Sequence, residues 1–371
     1  MARALIIGAG AIGRGYLPWN FKNMEFDFYD ESIELCNGIT KQVGYSSFMA
    51  IDGKLEERRF RPGEITSDLS QLNLKRYDVA FVSVGPRNCS NLPTELSMLE
   101  CPIFSVENDP LTLEIISNLT GSKSVFFGVP DVIASSTASR ENLDRDQFAL
   151  HTEEGVLYLE RNSSIPENLF GHLPKVIWSS REEMTREWDA KLFLHNTPHC
   201  IAAYLGYLNK KVFLHEGFNN AFIVKVVEGV IEELVLALKR TTKYDHDFLE
   251  QYADKELRRF SNPLLYDPIS RVAREPLRKL EKGGRLVGAL SLCLKSGVNP
   301  SFLNIGISAA LNYKDPADRD FESMFQVENF GVSNFLKYYL DMAPDSIESQ
   351  YVTESYKDAC DYWKRELVCV S

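Results

Sequence analysis

Apolar and polar positions in the first half of the chain fall into short runs separated by longer mixed stretches. Ala4-Leu5-Ile6-Ile7 is an apolar run that ends in glycine, residues 26–29 alternate, and residues 79–84 are apolar and rich in β-formers. Each predicts a strand. Residues 102–106, 125–129 and 156–160 repeat the pattern, with polar or helical stretches between them. Strand and helix in alternation predict a mostly parallel sheet. After about residue 181 the texture changes. Residues 181–208 and 216–240 read as long helices, the second carrying Phe218, Phe222, Val226, Ile231 and Leu234 at helical steps. Pro300, Pro316, Pro344 and Gly283-Gly284 divide the remainder into further helices without an internal repeat. The expected architecture is an α/β, Rossmann-like dinucleotide-binding domain over 1–180 followed by a mainly α-helical substrate domain over 181–371, meeting at a cleft.

The first strand runs directly into Gly8-Ala9-Gly10-Ala11-Ile12-Gly13, and a helix follows. That context gives the glycine spacing meaning. Gly8 allows the tight turn, Gly10 lets a pyrophosphate approach the backbone, Gly13 lets helix pack on strand, and the helix N-terminus offers free N–H groups to an anion. Asp30 ends the second strand, 22 residues after Gly8. A carboxylate there accepts hydrogen bonds from a ribose hydroxyl and repels a 2′-phosphate, so NAD is favoured over NADP. The structural alternative for Asp30 is a cap on the helix that follows it. Val84, Gly85, Glu107 and Asn108 follow further strands and are expected beside the cofactor, although ordinary turn chemistry accounts for them nearly as well.

Composition narrows the partners. A net charge of −11 argues against general nucleic-acid binding, and no apolar run approaches the roughly 20 residues of a membrane span. The N-terminus lacks the apolar core and cleavage site of a signal peptide, so the protein is expected in the cytoplasm with a small-molecule ligand. The seven cysteines are scattered and never spaced as metal ligands, so neither a disulfide framework nor a bound metal is expected. Against this acidic background, residues 271–285 hold Arg271, Arg274, Arg278, Lys279, Lys282 and Arg285 against Glu275 and Glu281. Arginine forks suit phosphate or carboxylate, and Arg274, Arg278, Lys279 and Arg285 are the candidate substrate ligands. A solvated charged helix is the alternative.

On the helix through residue 191 lie Lys191, Asn196 and His199, with Pro198 between the last two. At 100° per residue, Lys191 and Asn196 are about 140° apart on an ideal α-helix, so the helix must bend if they act together. Pro198 is the expected cause. A lone lysine or histidine on a helix is ordinarily a surface or packing residue; here the whole pattern matters. Lys191-Leu-Phe-Leu-His-Asn196-Thr-Pro-His199 followed by Ala202-Ala203-Tyr204-Leu205-Gly206 resembles the signature of the polyol-specific long-chain (mannitol dehydrogenase) family. The resemblance extends to Gly8 through Gly15, Val84-Gly85-Pro86, Glu107-Asn108, and Arg259-Phe260-Ser-Asn262-Pro263 through Arg285. It implies an NAD-dependent, zinc-independent dehydrogenase, a monomer or homodimer, interconverting a hexitol phosphate and a ketose phosphate. In that scheme Lys191 is the general base, Asn196 and His199 hold the substrate oxygen, and Asp189 helps relay the proton outward. A free lysine is protonated at neutral pH, so such a site must favour the neutral amine. His195 and Cys200 read as packing residues. Where the hexitol-phosphate enzymes follow an aspartate with an Asp-Arg pair, this chain has Asp131-Val-Ile-Ala-Ser135-Ser136, which puts the substrate in question. Free-polyol or sugar-acid (mannonate-type) oxidation, and a non-catalytic NAD-binding sensor, remain as alternatives.

Overall fold

In the computed structural model the described residues are 2–21, 23–107, 109–121, 124–162, 165, 175–241 and 244–368. The chain divides into two units, Met1–Trp188 with Leu264–Tyr266, and Asp189–Pro263 with Asp267–Ser371. Among the described residues the strands of the first unit are β1 (Ala2–Ile7), β2 (Met24–Tyr29), β3 (Tyr45–Ile51), β4 (Lys54–Phe60), β5 (Ile65–Thr66), β6 (Val79–Val82), β7 (Ile103–Ser105), β8 (Val125–Asp131), β9 (Leu150–Glu153), β10 (Val156–Glu160) and β11 (Val176–Ser179).

The main sheet runs β11-β10-β8-β7-β6-β1-β2-β5. From β5 to β8 every pairing is parallel, whereas β10 joins β8 antiparallel and β11 lies parallel to β10. Those six parallel strands have the order of a doubly wound nucleotide-binding sheet, with the glycine-bearing strand central. Alternate residues of β1 serve two apolar layers. Ala4 and Ile6 pack with Tyr16, Phe28, Phe81 and Phe104, while Leu5 and Ile7 pack with Leu69, Leu96, Ile116 and Phe127. A strand covered on both faces must be apolar throughout, which is why its sequence shows a run and no alternation. Each buried Leu, Ile or Phe among them contributes roughly 1.5–3 kcal/mol.

The sequence pattern did not predict β3, β4, β5, β9 and β11. β3 and β4 form an antiparallel hairpin, with β9 parallel to β3 on its other side. Its turn is Asp52-Gly53, both at positive φ (47° and 74°), the backbone that a tight two-residue hairpin requires. β4 reads Lys-Leu-Glu-Glu-Arg-Arg-Phe and lies at the edge of its sheet, mostly in solvent, so its polarity concealed it.

The second unit is helical, as the pattern implied. Thr197–Leu208 is buried from Thr197 to Gly206. It packs against Ser301–Leu311 closely enough that a Cβ on Gly306 would meet Ile201 Cδ1 at 2.5 Å. The N-terminus of Ser301–Leu311 is satisfied from the side by Glu233 of the helix Ala221–Lys239, whose carboxylate accepts from Phe302 N at 2.8 Å and Leu303 N at 2.9 Å. The carboxylate thereby meets orphan amide donors and the positive end of the helix dipole at once. Among the described residues no helix is long and apolar enough to cross a membrane.

Candidate active site

In the first unit the glycine loop is shaped by contacts that leave no room for side chains at two of its three glycines. Gly8 sits at φ 95°, and a Cβ there would meet Ser83 O at 2.5 Å. A Cβ on Gly13 would overlap the Gly8 carbonyl oxygen and meet Ser83 Oγ at 2.8 Å. Gly10 is different: an added Cβ would meet nothing within 4 Å. Packing therefore explains Gly8 and Gly13, whereas no contact within the described residues accounts for Gly10, which leaves open space beside the loop. Gly10 is followed by Ala11–Tyr16, a wide π-helical turn whose N-terminus has no side-chain cap, continuing into Leu17–Asn20. Uncapped amides at the head of a helix are donors for an anion.

The loop is held from behind. Ser83 Oγ donates to Gly8 O at 2.9 Å, and the buried Arg14 donates from Nε to Ala9 O at 2.8 Å and from Nη1 to Phe148 O. Arg14 carries no sign in the sequence, because a charge at the fourth position of a helical turn reads as surface. Burial lowers its pKa. Asp30 Oδ2 accepts from Ala9 N at 2.8 Å, and its Oδ1 accepts from Ser32 N at 2.9 Å. The helix Ile33–Lys41 is capped by Ser32 and not by Asp30. Asp30 is thus oriented by the loop it serves, with lone pairs left for a ribose hydroxyl. These residues fit the dinucleotide expected from the sequence.

Glu107 is buried and turned inward. Its carboxylate accepts from Val84 N at 2.5 Å and from Gly85 N at 2.9 Å, fixing the turn after β6, where Gly85 has φ 95°. Burial pushes its pKa up to about 8 against these hydrogen bonds, and Asp109 adds to the rise. Glu107 therefore shapes the strand end through its backbone partners. Asn108 lies outside the described residues.

In the second unit Lys191–Asn196 is a π-helical turn joining Arg181–Ala190 to Thr197–Leu208. Hydrogen bonds from i to i+5 bring residues five apart one above the other, so Lys191 and Asn196 share a face that an α-helix would deny them. The bend expected of Pro198 is supplied instead by this widened turn. Pro198 sits in the first turn of the following segment, where a missing N–H costs least. Thr197 Oγ1 ties the turn down, bonding to Leu192 O at 3.0 Å and Arg285 O at 2.7 Å. Lys191 is 2% exposed, and Asn196 and His199 are also buried. Asp189 Oδ2 accepts from the Tyr244 hydroxyl at 3.2 Å.

His199 stacks on Phe260 at 5.1 Å and 8° and lies 5.1 Å from the ring of His195. Its Nε2 is 3.2 Å from Asp267 Oδ2. Arg271 clasps the other oxygen, Oδ1, from Nε at 2.7 Å and Nη2 at 2.6 Å. His195, read from sequence as packing, is buried and hydrogen-bonded through Nδ1 to the fully buried Glu256, which also pairs with Arg259. Asp267 and Glu256 were not singled out from sequence, since carboxylates some sixty to seventy residues away leave no periodic mark on the helix they serve. The nearby Arg259-Phe260 pair was the available signal. Cys200 is fully buried, and burial raises its pKa.

The basic segment is divided by the structure. Helix Pro276–Leu280 starts after Glu275, at φ 56°. Arg278 Nε pairs with Glu275 at 3.0 Å, and Lys279 is buried with Nζ donating to Arg274 O. Lys279 thus serves the fold of its own segment. Arg274 is exposed, while the side chain of Arg285 is half-buried and forms no hydrogen bond or ion pair among the described residues. Burial, then Arg278, hold Arg285 down to about 10, and burial and Arg271 lower Arg274. Burial lowers His199 too, opposed by Asp267 and reinforced by Arg271 and Arg285, so the cationic groups crowd the histidine itself. In the first unit, Ser135, which stands near the expected Asp-Arg pair, donates to Tyr266 O at 3.0 Å, and His151 Nδ1 bonds Leu264 O at 2.7 Å. Ser135 is therefore spent on anchoring the segment Leu264–Tyr266.

Comparison with known proteins fits this arrangement. Residues 188–334 match the family model described as mannitol dehydrogenase C-terminal domain. The mannitol-1-phosphate 5-dehydrogenase of Caldanaerobacter subterraneus is 26% identical, covering 96% of this chain and 98% of its own length. That of an Exiguobacterium species is 27% identical, with 95% and 97% covered. Among solved structures, a Pseudomonas fluorescens mannitol 2-dehydrogenase ternary complex with NAD and D-mannitol aligns with TM-score 0.73 at 15% identity, covering 100% of this chain and 94% of that one. A substrate-free D-sorbitol dehydrogenase aligns with TM-score 0.69 at 13% identity, covering 98% and 94%. These structural likenesses bear on the fold; the resemblance read from the sequence and the expected α/β-plus-helical architecture are both borne out.

Proposed function

We propose that this chain, whose residues 188–334 match the mannitol dehydrogenase C-terminal domain, is an NAD-dependent dehydrogenase that interconverts a hexitol phosphate and a ketose phosphate. The observation that carries the phosphate is the cationic cluster around His199. Arg271 and Arg285 both depress that histidine, and Arg285, beside Arg278, has no counter-ion among the described residues. Arg271 and Arg278 have Asp267 and Glu275 as partners, but Arg285, held among these cations without an acceptor of its own, calls for an anion, and a phosphate on the sugar supplies one. Arg274, Arg278 and Arg285 are its proposed ligands, with Lys279 supporting them from within.

NAD, when bound, supplies the hydride acceptor at nicotinamide C4. Gly8 through Gly13 would cradle its pyrophosphate, Asp30 would take a ribose hydroxyl, and Val84 and Gly85, held by Glu107, would border it at the neighbouring strand end, with Asn108 kept as a further proposed cofactor residue. Lys191 removes the hydroxyl proton as the carbon–hydrogen bond breaks and returns it in the reverse direction. Such a base is worth roughly 10²- to 10⁴-fold in rate. Asn196 and His199 hold the substrate oxygens, with Asn196 donating where negative charge develops, and Asp189 helps relay the proton outward. We place this activity in the cytoplasm, carried out by a monomer or homodimer on a small substrate.

The test is NADH oxidation by the purified protein with fructose 6-phosphate, fructose and fructuronate in parallel, and with Lys191→Ala as control. Turnover confined to fructose 6-phosphate and lost in the variant is expected. Turnover only with an unphosphorylated ketose would keep the lysine chemistry and refute the phosphate, and tight NADH binding without turnover of any ketose would refute both.

A further inference from the structure

His199 and Asp267 pose a question about protons that their distances answer. His199 Nε2 and Asp267 Oδ2 are 3.2 Å apart and sealed from solvent; the contact is an off-line ion pair and not an aligned hydrogen bond, and neither atom has any other polar partner among the described residues. Asp267 Oδ1 is fully occupied by Arg271, which keeps the carboxylate ionised. The backbone is fixed as well, since Leu214 N donates to Asp267 O at 2.9 Å. Phe260 stacked on the imidazole leaves it no freedom to tilt away. An unprotonated Nε2 would leave two acceptors 3.2 Å apart in a site closed to water, so the ring proton belongs on the nitrogen beside the carboxylate.

We propose that Asp267 is a positioning residue that fixes the tautomer of His199, holding the proton of the neutral ring on Nε2 and presenting Nδ1 to the substrate as a hydrogen-bond acceptor. The substrate half of this statement rests on the dehydrogenase activity proposed above; the tautomer does not. Nδ1 makes no hydrogen bond among the described residues. A polyol offers hydroxyl donors, so Nδ1 takes one of them, and donation to the developing alkoxide falls to the amide of Asn196. The sequence pattern treated the two residues as equivalent; the carboxylate behind one of them makes them complementary.

The charged neighbours decide the state in which this matters. Asp267 favours the imidazolium, burial opposes it most strongly, and Arg271 and Arg285 oppose it too, so the ring's pKa falls below the ordinary histidine value. His195, 5.1 Å away, is itself engaged by Glu256. The neutral ring is therefore the working form, and its tautomer is a functional property.

The test uses the full chain with NADH bound and isotope-labelled histidine, read by long-range proton–nitrogen correlation spectra. The His199 signals are assigned by their loss in His199→Gln. The wild type is expected to show the Nε2–H pattern. In Asp267→Asn the side-chain carbonyl must face Arg271, so its NH₂ faces His199 and inverts the ring to Nδ1–H. The same variant should lose roughly tenfold in kcat/KM for the ketose, the scale of one substrate hydrogen bond, with NADH affinity unchanged. An Nδ1–H pattern in the wild type would overturn the proposal even if the variant does not fold, and so would an unchanged Nε2–H pattern or full activity in the folded variant. Failure of the wild type to reduce any ketose would remove the dehydrogenase activity and leave the tautomer to be decided by the spectra alone.

Discussion

Glu107→Gln isolates one buried carboxyl beneath the strand end that borders the glycine loop. In the folded chain burial raises this group to about 8, from an ordinary value of 4.5. The folded state therefore holds a proton that the unfolded state releases, across the interval between those values. Where the native state binds more protons, stability falls as pH rises. The contribution is fully present below the ordinary value and lost progressively up to the folded one, beyond which the slope vanishes. At about 1.4 kcal/mol per pH unit, the interval sets a ceiling of about 5 kcal/mol. Glutamine freezes the neutral form, and its carbonyl can replace Oε1, which already lies within reach of both Val84 N and Gly85 N. Urea unfolding of the first unit, followed through Trp19 and Trp178, is to be compared for wild type and variant from about pH 5 to about pH 9. The variant should gain on the wild type with rising pH, by at least about 2 kcal/mol over that range. All other titrating groups are common to both proteins and cancel in the difference. A difference that stays flat within about 0.5 kcal/mol would refute the claim that Glu107 is held neutral by burial.

The glycine loop makes a paired prediction. Gly13→Ala forces a Cβ onto the Gly8 carbonyl oxygen and should destabilise the first unit by about 1–3 kcal/mol in urea. Gly10→Ala meets open space, so it should leave the melting temperature unchanged while weakening NADH at least tenfold by fluorescence titration. Loss of stability in Gly10→Ala, or undiminished binding, would mean that nothing approaches the loop there. Arg285→Ala removes the unpaired guanidinium and should raise KM for fructose 6-phosphate at least tenfold with NADH affinity unchanged. Because it also relieves repulsion with Arg278, thermal stability should hold or rise; a drop would show Arg285 to be a structural ion.

What the sequence made legible follows from the range of the interactions involved. β1, β2, β6, β7, β8 and β10 were readable because sheet burial imposes an apolar pattern on consecutive residues. β4 was not, since an edge strand of charged side chains is set by pairing with β3 and carries little pattern of its own. Asp52-Gly53 is its one local sign. The glycine loop was legible because its spacing lies within six residues, whereas Ser83, which closes on Gly8 and Gly13 from another strand end, left no mark in that spacing. Arg14 could not, because its role depends on Ala9 and Phe148 acceptors that only the fold brings near it.

The same division runs through the catalytic segment. Lys191, Asn196 and His199 were recognisable together only as a pattern, and on α-helical geometry that pattern contradicted itself. The contradiction was informative: three polar side chains that must share a face at a spacing forbidden to the α-helix imply a local departure from it. Proline was the familiar remedy, yet a proline kink tilts an axis and leaves the angular offset between residues 191 and 196 almost as it was. A π-turn removes that offset directly, by adding one residue to the turn between them. Such turns lose hydrogen-bond quality and persist where surrounding contacts hold them. Here Thr197 supplies that hold, bonding both the turn and Arg285 O. Thr197 therefore links the geometry of the base to the backbone of the cationic cluster, so a change in either should be felt at the other.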